Sequence, residues 1–192
     1  VRFIGDADAR IKEDYLRILR FFRFFAAYGK PPADEAALLA CAKNAAGIER
    51  LSGERIQHEM FKLLASTHPY VALRLMDKAS VLAEIFDGKK PDTLRFEKLQ
   101  LAEDNLDERA DVETRLALLM DVTDIPAICI RWRLSNTSRE ALEIIHTHLP
   151  VMEEIVDELK SQKKLLRKIG ITPYRQLVLA ASVMCEKITH EN

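Results

Sequence analysis

The sequence has few of the residues that interrupt helices, and it has no long apolar run. Its 192 residues include only six glycines and seven prolines, and no stretch alternates apolar and polar residues as a strand does. No run approaches the ~18 consecutive apolar residues that a membrane-spanning helix requires. The apolar residues instead recur at helical spacing. These features predict an all-α protein that does not interact with a membrane.

Cysteine is also scarce, and the potential metal ligands are scattered. Cys41, Cys129 and Cys185 are isolated from one another, without the paired spacing of zinc ligands. Such a set is typical of reduced, buried thiols in a cytosolic protein. His146 and His148 are two residues apart and would lie on different sides of a helix. We therefore expect no metal site in this chain and a cytoplasmic location.

The motifs of several large enzyme classes are missing. The chain has no Walker phosphate loop, no Gly-x-Gly-x-x-Gly turn, no Gly-x-Ser-x-Gly elbow and no His-Asp dipeptide. Hydrophobic residues make up 48% of the chain, which excludes a disordered protein, and the formal net charge is −1. A nucleic-acid interface would therefore have to be a local patch. Acidic pairs such as Glu103-Asp104 are interpreted as solvated faces.

The segment from Arg10 to Phe25 is the most informative part of the chain. Its large apolar residues recur every three or four positions, and its acids and arginines fall on the opposite side. We predict one helix over residues 10–25, with Asp14 and Arg17 on the same face. A carboxylate beside a guanidinium either forms a salt bridge or reads the hydrogen-bonding edge of a nucleobase.

A second basic pattern lies near the end of the chain. A long helix is predicted from Pro150 to Ile169, and a last helix is predicted to continue to Ile188. The long helix carries a stripe of basic residues that could contact RNA phosphates or form a solvated face: Lys160, Lys163, Lys164, Arg167 and Lys168. The best internal boundary is the polar segment 88–92, which divides the chain into residues 1–87 and 88–192.

Two motifs resemble the neck of the class II tRNA nucleotidyltransferase (CCA-adding enzyme) and bacterial poly(A) polymerase family. The first is Arg2-Phe-Ile-Gly-Asp6, then Arg10-Ile11, then Glu13-Asp14-Tyr-Leu-Arg17-Ile-Leu-Arg20 and Arg23-Phe24. The second is Leu51-Ser-Gly-Glu54-Arg55-Ile56-x-x-Glu59. The resemblance covers about residues 2–86, and its two main motifs occur in the family's order and spacing.

The resemblance implies an all-α array like the C-terminal region of poly(A) polymerase. Residues 1–87 would be a neck that recognises the nucleobase, and residues 88–192 a helical body and tail that bind RNA. By resemblance, Asp14 and Arg17 would bind the base of CTP or ATP, and Glu13 would orient Arg17. The supporting residues of the neck would be Arg10, Arg20, Glu54, Arg55 and Glu59.

The implied function is addition of the C-C-A end to tRNA in a bacterial cytosol, with tRNA and nucleoside triphosphates as partners. The family's catalytic head, with a Gly-Ser loop followed by Asp-x-Asp carboxylates that bind Mg²⁺, is not found in this chain, nor is its Arg-Arg-Asp-Phe segment. A chain that starts with Val1 is expected to be part of a longer protein. We therefore expect these 192 residues to contain no cofactor and to be inactive on their own.

Two other interpretations stay open. A bacterial poly(A) polymerase shares the neck motif, and only the choice of primer would separate it from a tRNA nucleotidyltransferase. A non-catalytic helical scaffold would instead bind a protein partner through apolar residues of the first long helix: Phe21, Phe22, Phe24 and Phe25. The sequence leaves the oligomeric state open.

Overall fold

The structure, a computed structural model, describes residues 1–89, 91–155 and 157–184. Within these ranges every regular element is helical and no residue lies in a β-strand, so the all-α prediction is confirmed. No helix in the same ranges is long and apolar enough to cross a membrane. Cys41 and Cys129 are buried free thiols, and burial raises the pKa of Cys41 to about 12. The predictions for Cys185 and Ile188 lie outside the described residues.

The first of two compact units comprises Val1–Thr93 and Ala127–Leu134. Its elements are α1 (Ala7–Glu13), α2 (Leu16–Tyr28), α3 (Glu35–Lys43), a 3₁₀ helix (Ala45–Arg50), α4 (Gly53–Leu64), α5 (Tyr70–Lys78), α6 (Val81–Ile85) and most of α9 (Ile125–Arg131). The predicted division at residues 87 and 88, with the roles assigned to its two parts, stays a prediction.

The helix α2 is the centre of the first unit and packs against both α4 and α5. Ile18, Phe22 and Phe25 follow one another at helical spacing, and all three are buried. Each fully buried side chain of this size contributes about 1.5–3 kcal/mol through loss of apolar surface. Packing on one side of α2 leaves Arg17 and Arg20 on its more accessible side.

The prediction of a single helix over residues 10–25 is wrong, because two helices, α1 and α2, meet near Asp14. Asp14 ends α1 with an extended backbone, φ −158° and ψ 108°. Its Oδ1 accepts a hydrogen bond of 3.1 Å from the backbone N–H of Leu16, the first residue of α2. Aspartate competes for backbone hydrogen bonds in this way and therefore favours helix ends. Asp14 and Arg17 consequently do not share one helix face.

The end of α9 completes the core of the first unit. Trp132 is fully buried, its Nε1 donates to the carbonyl of Ile85 at 3.1 Å, and its ring lies 5.2 Å from that of Phe86. Gly53, the first residue of α4, lies so close to the carbonyl of Arg131 that a Cβ atom would overlap with it. This close backbone approach explains the glycine in the Leu-Ser-Gly-Glu-Arg motif.

The second unit comprises Leu94–Pro126 and the described residues from Ser135 onward. Its elements are α7 (Thr93–Leu106), α8 (Val112–Leu119), a 3₁₀ helix (Val122–Asp124), α10 (Asn136–Ile155), α11 (Leu159–Ile169) and α12 (Ile171–Met184). The long helix α10 packs against α8 and α12. Leu116, Leu142 and Leu177, one from each of these helices, are fully buried.

A buried ion pair joins α7 to α8, so the interpretation of Glu103 as part of a solvated face is wrong. The Glu103 side chain is 1% exposed and that of Arg115 is 3% exposed. Arg115 donates from Nη2 to Oε2 at 2.7 Å and from Nε to Oε1 at 2.9 Å. The backbone N–H of Ala110 also donates to Oε1, at 2.9 Å. This two-pronged contact compensates the cost of burying the carboxylate.

Pro150 does not begin a helix, contrary to the prediction of a helix from Pro150 to Ile169. It lies inside α10, which ends at Ile155, and α11 begins separately at Leu159. A proline removes one hydrogen bond, but packing of α10 against α8 and α12 holds the helix on both sides of it. The predicted helical position Val156 lies outside the described residues.

Candidate functional site

At the end of α1, the carboxylate of Glu13 binds two arginines. Its Oε2 accepts hydrogen bonds from Nη1 of Arg17 at 2.6 Å and from Nη1 of Arg10 at 2.7 Å. The hydrogen bond from Arg17, with the charge of Arg10, lowers the pKa of Glu13, so this carboxylate is ionised at neutral pH. Nη1 of Arg17 also donates to the backbone carbonyl of Arg10 at 2.6 Å. Arg17 is thus held through one nitrogen, and its Nε and Nη2 have no hydrogen-bond partner in the described ranges.

Asp14 is held by different partners from those of Arg17. Nη2 of Arg55 donates to both of its carboxylate oxygens, at 3.0 Å to Oδ1 and 2.8 Å to Oδ2. Together with the N–H of Leu16 on Oδ1, these contacts occupy three of the roughly four lone-pair positions of a carboxylate. One acceptor position on Oδ2 is left. Asp14 and Arg17 therefore each keep free hydrogen-bonding positions, although Asp14 is bound by Arg55 and Arg17 by Glu13.

A cavity of about 240 Å³ opens beside Arg17. Its wall combines the N-terminal segment 1–4 with basic and aromatic side chains of α1 and α2: Arg10, Arg17, Arg20, Phe21 and Phe24. The ring of Phe3 stacks on that of Phe21, with centroids 5.5 Å apart. Guanidinium groups attract anions, and aromatic faces accept flat rings. The cavity thus suits a ligand that is both aromatic and anionic; Asp14 does not line it.

Glu59 ties α4 to α2. Its side chain is 6% exposed, and Oε2 accepts a hydrogen bond of 2.6 Å from Nε of Arg23. The guanidinium of Arg23 lies over the ring of Phe24, 4.1 Å from its centroid. Arg20 approaches the same carboxylate only to 3.9 Å. Arg23 received no role from the sequence, although it follows Arg20 by three residues in the motif.

The remaining predicted supporting residue, Glu54, forms an ion pair with Arg133. Its Oε1 accepts a hydrogen bond of 2.7 Å from Nη1 of Arg133, and both side chains are exposed. A hydrogen bond from its own backbone N–H lowers the pKa of Glu54, and Arg133 acts in the same direction. Arg55, the next residue, points instead to Asp14. The motif thus makes separate contacts to the α1–α2 junction, to α2 and to the end of α9.

An Asp-x-Asp sequence, Asp6-Ala7-Asp8, lies at the start of α1. Asp6 caps α1 by accepting a hydrogen bond of 2.7 Å from the N–H of Ala9. Asp8 accepts hydrogen bonds from Asn44 at 2.7 Å and Lys12 at 2.6 Å, and these hold the pKa of Asp8 well below its ordinary value. Both carboxylates therefore serve local structure. In the part of the chain that the structure describes, no group of three or more potential ligands could hold a metal ion.

The predicted basic stripe lies on α11 in the second unit. All five of its cations are exposed, and none forms a hydrogen bond or an ion pair with another described residue: Lys160, Lys163, Lys164, Arg167 and Lys168. Leu165, on the opposite side of the helix, is buried. The helix therefore presents a continuous unpaired positive face.

Several known proteins resemble this chain over part of their length. Residues 34–93 match a family model described as "Probable RNA and SrmB- binding site of polymerase A". The chain is 50% identical over 70 residues to the human mitochondrial CCA tRNA nucleotidyltransferase 1, covering 35% of the chain and 16% of that protein. It is 29% identical over 181 residues to the CCA-adding enzyme of Geobacillus kaustophilus, covering 93% of the chain and 45% of that enzyme.

The chain thus resembles the class II tRNA nucleotidyltransferase and poly(A) polymerase family. A CCA-adding enzyme solved with CTP superimposes on 95% of the chain and 46% of its own length, with a TM-score of 0.69 at 18% identity. The Thermotoga maritima CCA-adding enzyme solved with tRNA gives a TM-score of 0.66 at 17% identity, over 93% of the chain and 46% of that enzyme. These likenesses support the fold. The chain spans less than half the length of the relatives that it matches.

Proposed function

We propose that the chain is the neck, body and tail region of a CCA-adding tRNA nucleotidyltransferase. Its first unit selects CTP and ATP through protein side chains, and its second unit binds tRNA. The intact protein transfers nucleotides to the tRNA end, with Mg²⁺ bound in a catalytic head. The observation that carries the proposal is Arg17, which keeps two donor nitrogens free beside a cavity of basic and aromatic side chains.

The choice of CTP and ATP follows from hydrogen-bond chemistry. Cytosine and adenine both present an amino donor next to a ring-nitrogen acceptor, whereas uracil and guanine present a carbonyl next to an N–H donor. The open acceptor position on Asp14 suits the amino group, and the free donors of Arg17 suit the ring nitrogen. Glu13 fixes Arg17 through a short hydrogen bond. A small rotation of the Asp14 and Arg17 side chains accommodates either base.

The test is a titration of the chain with each of the four nucleoside triphosphates, monitored by NMR. This method detects weak binding, which we expect in a chain without a triphosphate clamp. CTP and ATP should bind more tightly than UTP and GTP. Arg17→Gln and Asp14→Asn should each weaken CTP binding by roughly 5- to 150-fold, the equivalent of about 1–3 kcal/mol for a good base contact. Arg74→Gln, an exposed arginine on α5 outside the cavity, is the matched control.

Two results would contradict this assignment. Equal affinity for all four triphosphates would show that no base is read, and unchanged CTP binding by Arg17→Gln would remove the proposed contact. Binding of ATP alone would favour the poly(A) polymerase alternative. The description of the matched family model, which names polymerase A, is consistent with that alternative. A scaffold that binds only protein partners should bind none of these nucleotides and no tRNA.

A further inference from the structure

The start of α4 is held in place by the end of α9. The guanidinium of Arg131 donates to the backbone carbonyls of Leu51 at 3.3 Å and Ile48 at 3.5 Å, just before α4 begins. The carbonyl of Arg131 in turn lies against Gly53. The N-cap residue Ser52 does not cap α4 with its side chain. The position of the first turn of α4 therefore depends on a segment 80 residues further along the chain.

Arg133, just after α9, has a backbone conformation that normally belongs to glycine. Its φ is 53°, in the left-handed region where a Cβ atom is disfavoured and where many helices end in glycine. Its Nη1 donates to Oε1 of Glu54, in the first turn of α4, at 2.7 Å. A side chain that is retained at such a backbone position and reaches another helix suggests a role outside its own segment.

The residue after Glu54 binds the carboxylate that is proposed to read the base. Nη2 of Arg55 donates to both oxygens of Asp14, at 3.0 and 2.8 Å. The Asp14 side chain is 33% exposed and that of Arg55 is 46% exposed, so burial does not fix this pair. The direction of Arg55 depends instead on where the first turn of α4 lies. A carboxylate that is already oriented binds a ligand at a lower cost in conformational entropy.

We propose that Arg133 is a positioning residue for Asp14. It holds the first turn of α4 through Glu54, so that Arg55 keeps the carboxylate of Asp14 in the direction that the base requires. The inference rests on the function proposed for the first unit. The residues on either side of the segment 127–134 belong to the second unit. The part of the sequence predicted to bind RNA thus contributes a residue to the base site of the other part.

The first test measures amide hydrogen exchange of residues 55–58 in the 192-residue chain. Arg133→Gly removes the ion pair but suits the left-handed backbone, so the free energy of unfolding in urea should not fall. The first turn of α4 should nevertheless exchange about two- to fivefold faster, as expected for the loss of one exposed ion pair. Arg133→Lys keeps the charge and should recover part of the protection. The matched control, Arg175→Gln, removes a similarly exposed ion pair with Glu108 in the second unit and should leave this exchange unchanged.

The second test measures cytidine affinity by NMR. Arg133→Gly should weaken cytidine binding by about two- to fivefold, because the orientation of Asp14 is less well fixed. In a chain that already carries Arg55→Gln, the same substitution should have no further effect, since Arg133 acts through Arg55. A residue that only stabilised the fold would weaken binding equally in both backgrounds.

The outcomes separate this inference from the proposed function. Unchanged exchange at residues 55–58 in Arg133→Gly would overturn the positioning role, as would additive effects of Arg133→Gly and Arg55→Gln on cytidine affinity. If cytidine does not bind to the unsubstituted chain, the base-reading function fails. In that case the exchange rates alone decide whether Arg133 fixes the start of α4.

Discussion

Glu13 and Asp14 are neighbours in the sequence but have different partners, because the helix α1 ends between them. Glu13 stays on the helix and reaches Arg17 at 2.6 Å, whereas Asp14 turns towards Arg55 at 2.8 Å. The sequence identified both carboxylates as candidates from the family motif. It could not predict their pairing, since Arg55 is 41 residues further along the chain. Contacts of that range depend on how α4 packs against α2.

At the same scale, His146 is a half-buried ring with one unsatisfied nitrogen. Its Nε2 is buried and has no hydrogen-bond partner among the described residues, and its ring is hydrogen-bonded to the backbone of Ala117. Burial lowers the pKa of His146. Of the charged groups that act on it, Arg95 also lowers the pKa and Asp121 raises it. The folded state therefore favours the neutral ring.

We predict that the second unit loses stability as the pH falls below about 6.5, the ordinary histidine value. Above that pH the ring is neutral in both states. Below it the unfolded chain binds a proton that the folded chain resists, so the free energy of unfolding decreases. Urea unfolding at several pH values between 7.5 and 5 measures the slope. His146→Gln should reduce the slope, while His68→Gln, exposed in the first unit, should leave it unchanged.

His148 contributes to the same slope with the same sign, because burial and Lys168 lower its pKa. The slope should therefore shrink, and not vanish, when His146 alone is replaced. An unfolding free energy of His146→Gln with the same pH dependence as that of the unsubstituted chain would contradict the assignment.

At the scale of elements, periodicity predicted helices well and their ends less well. Asp34, an aspartate just before α3, caps that helix, and its Oδ1 accepts a hydrogen bond of 2.7 Å from the N–H of Ala37. Local capping chemistry is readable because donor and acceptor are three residues apart. The break at Asp14 and the passage of α10 through Pro150 were missed. In those cases side-chain competition or packing against other helices outweighs the local propensity.

The helix α11 leads to a prediction of its own. We propose that its unpaired cations bind tRNA phosphates, so Lys164→Glu combined with Arg167→Glu should weaken tRNA binding and flatten its salt dependence. Each phosphate contact contributes close to one unit of slope in a plot of log affinity against log salt concentration. Filter binding of labelled tRNA between 50 and 200 mM salt, roughly the range over which such contacts are screened, measures both quantities.

The matched control for α11 is Lys98→Glu combined with Arg139→Glu, which makes the same charge change on exposed side chains of α7 and α10. If the control variant weakens tRNA binding as much as the α11 variant does, the effect is one of net charge. In that case α11 is a solvated face.

At the scale of the whole molecule, the chain spans less than half the length of the curated relatives described above. We predict that the 192 residues alone incorporate no labelled CTP into tRNA, even with Mg²⁺ present. The family's Gly-Ser loop and its following metal carboxylates are not in this sequence, and Asp6 and Asp8 are engaged in capping and ion pairs. Incorporation above that of a no-protein control, measured on gels, would contradict the prediction.

The sequence by itself determined the all-α class, the resemblance to a known family and the identity of the polar residues around α1, α2 and α4. These follow from periodicity and from motifs within short stretches of chain, where each residue acts on near neighbours. Only the tertiary structure decided that Arg55 holds Asp14, that Arg23 rather than Arg20 secures Glu59, and that Glu103 is buried with Arg115. Such pairings depend on which helix faces meet, and burial of apolar surface across the whole unit sets that arrangement.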